Sequence, residues 1–519
     1  MKSAVLASAG GAIGLGIFSQ FSDRAIAAGR KKQGAWASEL GEPLAGWPLI
    51  PIHAVLLGDG RLLTYGTNSK GQQTGFFIYD VWDPQAGLGQ NAHLTLPNTT
   101  QTDIFCSAQI VLPQSGNVLI AGGDNWTGTA TTNTGNNNSN IFDPNIDPSK
   151  SNPLTRSGNS MNRPRWYASP ITLPDGRTYI QGGIGGEDHP ELRDSDGTFD
   201  LLTGIDTSWL LELYPRNWVA PNGLVFGYAD RTMYYVDPNA NGGNGSITSA
   251  GTMPSDGPNG LNSTDVMYEP GKILRCGGGS TTLPEKQGPQ AQGKNAAAVI
   301  DINGATPSYK KRPSMPKFLI WANATVLADG DVVVTGGSTV DNELTGVNTS
   351  ALLWKADTGS WTQGAESTAG IARLYHSVAL LLPDGSVMSG GGGAPGPQTN
   401  LDVEIYYPPY LFTNSGAFAP RPTITSSPGG ITYGQRFAVG VNSAAGIQRV
   451  TFIKTASVTH SFNFEQRFME LTFTPKAGGL SVQAPLSAAL APPGNYLLFV
   501  IDGQGVPSVA KIIPIGAGS

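Results

Sequence analysis

Two stretches decide the fold. Leu173-Pro174-Asp175-Gly176-Arg177-Thr178-Tyr179-Ile180-Gln181-Gly182-Gly183 and Leu381-Leu382-Pro383-Asp384-Gly385-Ser386-Val387-Met388-Ser389-Gly390-Gly391 share one pattern. An apolar entry leads into an Asp-Gly turn, a short strand follows, and a glycine pair closes the unit. An Asp-Gly turn between two apolar strands reads as a β-hairpin, because the turn needs positive φ that glycine adopts without strain. The same unit recurs with turn glycines Gly60, Gly116, Gly176, Gly223, Gly271, Gly330 and Gly385.

The spacing of these glycines is about 50 residues, the period of a kelch-type propeller blade. The expectation is an all-β protein: a seven-bladed kelch-type β-propeller over residues 34–405, with the glycine pairs allowing close approach of inner strands near the axis. Trp36 and Trp361, each shortly after a glycine, are expected to pack between neighbouring sheets. Beyond Tyr406-Tyr407-Pro408-Pro409-Tyr410 the pattern changes, and residues 416–519 read as a small immunoglobulin-like β-sandwich. Asn125–Asn140, rich in Thr, Gly and Asn, and the acidic run from Glu187 read as solvated loops on one face of the propeller.

Composition agrees with an all-β reading. The 519 residues include 69 Gly and 38 Pro but only 13% charged residues, which favours short strands and tight turns over helical bundles. The net charge of -6 and the lack of basic clusters provide no footprint for nucleic acid or an anionic membrane. Residues 4–18 form a mildly apolar stretch, followed by Ala25-Ile26-Ala27 with the small-x-small pattern of a signal peptidase site. Residues 1–28 are therefore expected to be an export signal, of the Sec or the twin-arginine type, placing the protein in a secreted, periplasmic or cell-surface compartment. The stretch is shorter than the ~20 apolar residues of a membrane-spanning helix.

Two cysteines in an exported chain admit one disulfide, Cys106 to Cys276. Cys276 ends an apolar strand, where a buried thiol also serves as a small hydrophobe. Of the five histidines, His53 and His93 read as structural and His189 lies in the acidic loop. His376 and His460 stand apart, flanked by hydroxyl residues in Tyr375-His376-Ser377 and Thr459-His460-Ser461 and drawn from different domains.

Four words gather the chemistry: Asp103-Ile104-Phe105-Cys106, Arg165-Trp166-Tyr167-Ala168-Ser169, Arg373-Leu374-Tyr375-His376-Ser377 and Thr459-His460-Ser461-Phe462-Asn463. With them the chain resembles the copper radical oxidases, the galactose oxidase and glyoxal oxidase family, over nearly its whole length after the signal. The resemblance implies one copper ion held by Tyr167, Tyr375, His376 and His460, with one position open to substrate. It further implies that Cys106 is joined to the ring of Tyr167 by a self-processed thioether, whose tyrosyl radical is the second redox centre. Imidazole and phenolate donors suit Cu(II), and two one-electron centres together match a two-electron oxidation. In the implied mechanism Tyr375 takes the substrate proton, Tyr167 abstracts a hydrogen atom, and dioxygen leaves as hydrogen peroxide.

The chain also departs from galactose oxidase. The tryptophan that stacks over the cross-linked ring there corresponds to Gly185 here, which leaves Trp166 and Trp218 as candidates for shielding the ring. The first blade is expected to follow the signal directly, without the separate N-terminal carbohydrate-binding domain of galactose oxidase, and the Arg-Trp-Tyr word is closer to glyoxal oxidases. The expected function is oxidation of small glyoxal-type aldehydes to carboxylic acids by a monomer. A primary alcohol or the end of a cell-surface glycan is the alternative substrate. A kelch propeller that binds glycans or partners without catalysis is the alternative of another class.

Overall fold

The structure, a computed structural model, describes residues 29–210, 213–279 and 291–516. The expected export signal, residues 1–28, lies outside the described residues.

From Ala35 to Tyr407 most strands group into antiparallel sheets of four that pair in chain order; the last sheet is instead closed by early strands, with Ala45–Gly46 adding a fifth, and Trp126–Thr127 and Ala130–Thr131 form a ribbon of their own. The first comprises His53–Leu56, Leu62–Tyr65, Ile78–Trp82 and His93–Pro97; the second Ala108–Val111, Val118–Ala121, Asn138–Phe142 and Leu154–Ser160. The third comprises Trp166–Thr172, Thr178–Ile184, Glu191–Arg193 and Phe199–Leu201; the fourth Arg216–Val219, Val225–Ala229, Thr232–Asp237 and Ser246–Thr252. Ser263–Glu269, Lys272–Gly277, Ala297–Asp301 and Ser308–Arg312 form the next, and Ile320–Val326, Val332–Ser338, Ser350–Trp354 and Trp361–Glu366 the one after it. The last takes Ser377–Leu381, Val387–Gly391 and Asp402–Tyr407 and is completed by the N-terminal strand Ala35–Trp36, with Ala35 opposite Tyr407. A strand that precedes the first sheet is thereby bonded to the end of the repeat, which leaves fewer open sheet edges.

The Asp-Gly hairpins join the first two strands of a sheet, and their geometry is more specific than the sequence indicated. In Leu173-Pro174-Asp175-Gly176 the Gly176 amide donates to Leu173 O at 2.9 Å, the Arg177 amide donates to Asp175 Oδ1, and Gly176 has φ +88°. This is a tight turn completed by one left-handed glycine. Leu382–Gly385 repeats it, with φ +81° at Gly385.

The glycine pairs act between sheets, at the ends of second strands, except in the first and fourth sheets, whose second strands are followed by Gly66-Thr67 and Asp230-Arg231. The Gly123 amide donates to Arg165 O at 2.9 Å and the Gly337 amide to Arg373 O at 2.7 Å. A Cβ on Gly122 would lie 2.1 Å from Arg165 O, so no side chain fits where the next sheet's first strand enters. Trp36 and Trp361 bridge sheets as expected: their indole Nε1 groups donate to Ala365 O and Pro313 O, each at 3.0 Å.

The C-terminal region has two further sheets. Ile424–Ser426, Arg436–Val441, Phe473–Lys476 and Gly479–Gln483 form one; Ile447–Lys454, Phe462–Glu470, Gly494–Asp502 and Lys511–Ile515 form the other. Val439, Leu480 and Val482 from the first share one core with Val450, Phe452, Leu498 and Ile513 from the second. The hairpin of Ser457–Thr459 and Phe462–Glu470 leaves this unit and inserts among the repeat's first strands. It pairs antiparallel with Ala54–Val55 on one side and parallel with Asp265 and Met267 on the other. Polar pins hold it: Glu465 Oε1 accepts from the Thr172 amide at 2.6 Å and from Lys454 Nζ at 3.0 Å, Gln466 Oε1 accepts from the Val326 amide, and Ser457 Oγ donates to Gln109 O. Three of these bonds satisfy buried backbone groups, the Thr172 and Val326 amides and the Gln109 carbonyl, and the fourth pairs the buried Lys454 ammonium with the Glu465 carboxylate.

Candidate metal centre

The four words converge at one end of the repeat, where the first strands begin. Cys106 precedes Ala108–Val111, Tyr167 is the second residue of Trp166–Thr172, and Tyr375 and His376 directly precede Ser377–Leu381. His460 occupies the tip of the inserted hairpin. Thr459 pairs with Phe462, which leaves His460 and Ser461 as a two-residue turn with φ of +49° and +61°. Such a turn requires positive φ at both central residues and ordinarily uses Asn or Gly. A histidine there trades backbone ease for position.

The same backbone conformation recurs around the site. Cys106 (φ +52°), Tyr167 (+72°), Tyr214 (+48°), Trp321 (+61°) and His376 (+68°) are all left-handed, at a cost of about 1 kcal/mol or more each for a residue with a Cβ. Three of them are linked from sheet to sheet: the Tyr167 amide donates to Cys106 O at 2.9 Å and the Tyr214 amide to Tyr167 O at 2.8 Å. The strand entries thus bond across sheets, and the left-handed residues cluster where they do.

The donor atoms meet in a buried cluster. Tyr167 Oη and Tyr375 Oη lie 2.8 Å apart. Cys106 Sγ is 3.7 Å from His376 Nε2 and 3.5 Å from His460 Nε2, and these three ligand atoms lie within 4.8 Å of one another. The His376 and His460 rings meet edge to face at 4.5 Å between centroids, and Tyr375 stacks on His376 at 3.8 Å. Each histidine is anchored through Nδ1, His376 to Gly393 O at 2.8 Å and His460 to Thr459 Oγ1 at 2.5 Å. A ring whose Nδ1–H is donated keeps its Nε2 lone pair for a metal. Burial pushes His376 down to about 3 and His460 well below its ordinary value, with the neighbouring His376 adding to the latter, so both rings are neutral at physiological pH. Two neutral imidazoles and two phenols form a donor set that suits Cu(II).

The arginines of the two Arg-x-Tyr words support this geometry from behind. Buried Arg165 pairs with Glu191 at 2.9 Å and donates to Gly182 O and Gly186 O; Arg373 pairs with Asp402 and donates to Gly391 O and Asp402 O. Each fastens the strand entry, two residues before a tyrosine, to its own sheet. Asp103 does the same for Cys106, its Oδ1 accepting from the Gly75 amide at 2.6 Å and from the Phe105 amide at 3.1 Å.

Trp166 lies against Tyr167, with centroids 4.6 Å apart and planes tilted by 60°. Trp218 packs instead on Tyr228 and Phe462. A Cβ on Gly185 would sit 2.9 Å from Pro164 Cγ, so that position has no room for a tryptophan without rearrangement. Cys106 and Cys276 are not joined: Cys276 is buried in its strand as a small apolar group. His53 hydrogen-bonds Gln109 and stacks on Tyr65, His93 hydrogen-bonds Asp80, and His189 hydrogen-bonds Ile205 O in the acidic loop. A cavity of about 620 Å³ lined by Asp329, Asp331, Lys355 and Arg449 lies at the hairpin end of the sheets and includes none of the clustered residues.

Two residues that the sequence did not single out touch the cluster. Tyr214 packs on Tyr167 (5.2 Å) and His460 (4.7 Å) and donates its hydroxyl to Ser107 O at 3.1 Å. Trp321 packs on Tyr375 at 4.6 Å and donates Nε1 to Asp341 Oδ1.

Residues 88–410 match the glyoxal oxidase N-terminus family, and residues 421–515 match the galactose oxidase-like early set domain. The chain belongs to the galactose oxidase and glyoxal oxidase family. Among this family, galactose oxidase of Gibberella zeae is 28% identical over 504 residues, covering 91% of this chain and 70% of that protein. Aldehyde oxidase GLOX1 of Arabidopsis thaliana is 29% identical over 397 residues, covering 68% of this chain and 63% of that protein. In fold the chain is similar to a fungal alcohol oxidase of the AA5 family solved in complex with copper, with a TM-score of 0.79, 24% identity, and coverage of 93% of this chain and 100% of that one.

Proposed function

We propose that the protein is an exported copper radical oxidase that converts small glyoxal-type aldehydes to carboxylic acids while reducing O2 to H2O2. One observation carries the reading: Tyr167, Tyr375, His376 and His460 converge with Cys106 in one buried cluster, from segments that span both parts of the chain. A non-catalytic kelch propeller has no use for five such groups held together against backbone strain. Supporting the architecture, the four-stranded sheets of residues 34–405 are read as seven blades closed by Ala35–Trp36, and residues 416–519 as an immunoglobulin-like sandwich that lends His460. Residues 1–28 are the proposed export signal, and the working unit is a monomer.

In this reading Tyr167, Tyr375, His376 and His460 hold one copper ion. A copper ion held by these four residues would supply an acceptor for one of the two electrons that the substrate loses. The phenolate oxygen of Tyr375 takes the substrate's hydroxyl proton as general base. Tyr167, joined through its ring to Cys106 Sγ and oxidised by one electron to a phenoxyl radical, would take the hydrogen atom from the adjacent carbon and become a phenol; the sulfur lowers the ring's oxidation potential by donating electron density. Burial excludes water from both phenols and keeps the histidines neutral. For an aldehyde the reacting species is its hydrate, so the reaction balances as RCH(OH)2 + O2 → RCOOH + H2O2.

Aldehydes are favoured by the Arg165-Trp166-Tyr167 word and by the crowded Gly185 position, where the stacking tryptophan of galactose oxidase has no counterpart. A second reading keeps the site and takes a primary alcohol or a glycan end as substrate. The match to galactose oxidase over 91% of the chain favours it. The experiment is copper loading under air followed by peroxide release from methylglyoxal, glycolaldehyde, galactose and simple alcohols, together with peptide masses for Cys106 and Tyr167. Peroxide from aldehydes and a linked peptide lighter by two hydrogens are expected. An unlinked Cys106 in a protein inactive toward all substrates overturns the reading.

A further inference from the structure

Three aromatic side chains lie together on the surface at the same end of the molecule as the metal centre. The second-to-third strand connections of a sheet fall at the end opposite the Asp-Gly hairpins, hence at the end where Cys106 and Tyr167 start their strands. Residues 66–77 of the first sheet and 122–137 of the second are two such connections. They carry Phe76, Phe77 and Trp126. Phe76 stacks on Trp126 with an interplanar angle of 15° and centroids 5.7 Å apart, and Phe77 meets both edge-on, at 5.5 and 5.0 Å. Phe77 is 42% exposed, and Phe76 and Trp126 are partly exposed.

We propose that Phe76, Phe77 and Trp126 form a platform for a neutral carbohydrate chain beside the metal centre. The platform has fixed geometry. Trp126 sits in a two-stranded ribbon, opposite Thr131. Gln73 Nε2 donates to Asn133 Oδ1 at 2.8 Å and ties the two connections together. Both are fastened to the segment leading to Cys106: the Gly75 amide donates to Asp103 Oδ1, and the Asp124 amide to Phe105 O at 3.0 Å. The Phe105 ring in turn meets His376 edge to face at 5.4 Å. Phe76 is one residue from the first anchor and Trp126 two from the second, so the platform and the metal centre share one short bracket.

The chemistry of the patch selects the occupant. One face of a pyranose ring presents C–H bonds with slight positive charge, which aromatic faces attract, while its hydroxyls need donors and acceptors around the rim. Residues 125–140 contain Asn, Thr, Ser and Gly around Trp126 and no Asp, Glu, Lys or Arg. The two connections together carry one cation, Lys70, and one anion, Asp124, so no cation cluster awaits a phosphorylated or anionic ligand, and an apolar protein surface would leave their amides and hydroxyls without partners. A polyhydroxylated, uncharged chain satisfies both. The consequence for catalysis, that a glycan held here offers its end to the metal centre, rests on the second reading of the oxidase, with a glycan end as substrate; binding itself does not.

The test is native gel electrophoresis of the copper-loaded full chain in gels cast with xyloglucan, galactomannan or hydroxyethyl cellulose, and with polygalacturonate as an anionic control. Retardation by at least one neutral polymer and none by polygalacturonate is expected. Trp126→Ala and Phe77→Ala should weaken it, raising the apparent Kd about tenfold, the scale of losing one aromatic contact. Trp126→Phe should retain most of it, and copper content and Tm show that each variant is folded. No retardation by any neutral polymer, retardation by polygalacturonate alone, or undiminished retardation in both alanine variants overturns the proposal. Retardation of a wild-type protein that releases no peroxide would sink the oxidase reading and leave the platform standing.

Discussion

The phenolic oxygens of Tyr167 and Tyr375 lie 2.8 Å apart across 208 residues of sequence, each on the left-handed or strand-entry backbone of a different sheet. Two phenols so close in a buried site share a proton or a cation, and the neutral imidazoles of His376 and His460 beside them complete a set of four donors. The arrangement separates the roles of the two tyrosines. Tyr167 is bonded by its backbone to Cys106 and packed by Trp166 and Tyr214, whereas Tyr375 stacks on His376.

Cys106→Ser is expected to fold and to bind copper with near wild-type affinity, because the sulfur is not one of the proposed ligands. Most peroxide release disappears, and so does the linked Cys106–Tyr167 peptide. Retention of full activity in this variant would rule out the thioether's redox role.

Tyr375→Phe removes the proposed base while keeping the ring that stacks on His376. A fall in kcat of about 10²–10⁴ is expected, the usual worth of a positioned proton acceptor. A KM change with intact kcat would assign Tyr375 to binding alone.

His460→Ala should abolish tight copper binding, measured by competition with a chelator. Thr459→Val, which leaves the ligand but removes the oxygen on its Nδ1, should weaken copper by roughly 10–100-fold. Equal affinities for Thr459→Val and wild type would mean that the turn alone fixes the ring.

Tyr214→Leu removes a ring that packs on both Tyr167 and His460 and opens a cavity; a loss of about 3 kcal/mol in stability is expected. Tyr214→Phe keeps the packing and loses only the bond to Ser107 O, so it should cost about 1 kcal/mol and leave the copper EPR spectrum unchanged. A shifted spectrum in the phenylalanine variant would show that the hydroxyl helps set the metal geometry.

Asp103 has its carboxyl pushed up to about 6, chiefly by burial and against the amides of Phe105 and Gly75 that favour the anion. Its folded pKa exceeds the unfolded value of about 3.9, so the folded state holds the proton more tightly. The stability this provides is fully present below about pH 4 and is lost as pH rises through about 6. Asp103→Asn should flatten the fall in stability between those pH values, by up to roughly 3 kcal/mol. Urea unfolding at pH 4.5 and 7 measures it; parallel pH profiles for variant and wild type would mean that the carboxyl titrates normally.

Much of the site was legible in the chain because its residue types are rare there or stand in distinctive words. Cys106, Tyr167, Tyr375, His376 and His460 stood out this way, and all five meet in the structure. Tyr214 and Trp321 did not, since a lone aromatic in or just before an apolar strand looks like core. Their signal was register within the repeat: Tyr214 stands two residues before its sheet's first strand, as Cys106 does, and Trp321 is second in its strand, as Tyr167 is. The reason for Arg165 and Arg373 was equally hidden. Their partners, Glu191 and Asp402, lie 26 and 29 residues away on third strands.

The sequence alone determined the all-β character, the Asp-Gly hairpins and the chemical set available for a metal, because turn conformation and side-chain chemistry are local properties of residues. Only the tertiary structure decided that five left-handed residues would cluster at one end of the repeat, that the hairpin carrying His460 would pair with Ala54–Val55 and with Asp265, and that Phe76 and Trp126 would meet beside the metal centre. Those relations depend on backbone bonds between different sheets, and on a burial that holds strained conformations in place, neither of which any stretch of neighbouring residues encodes.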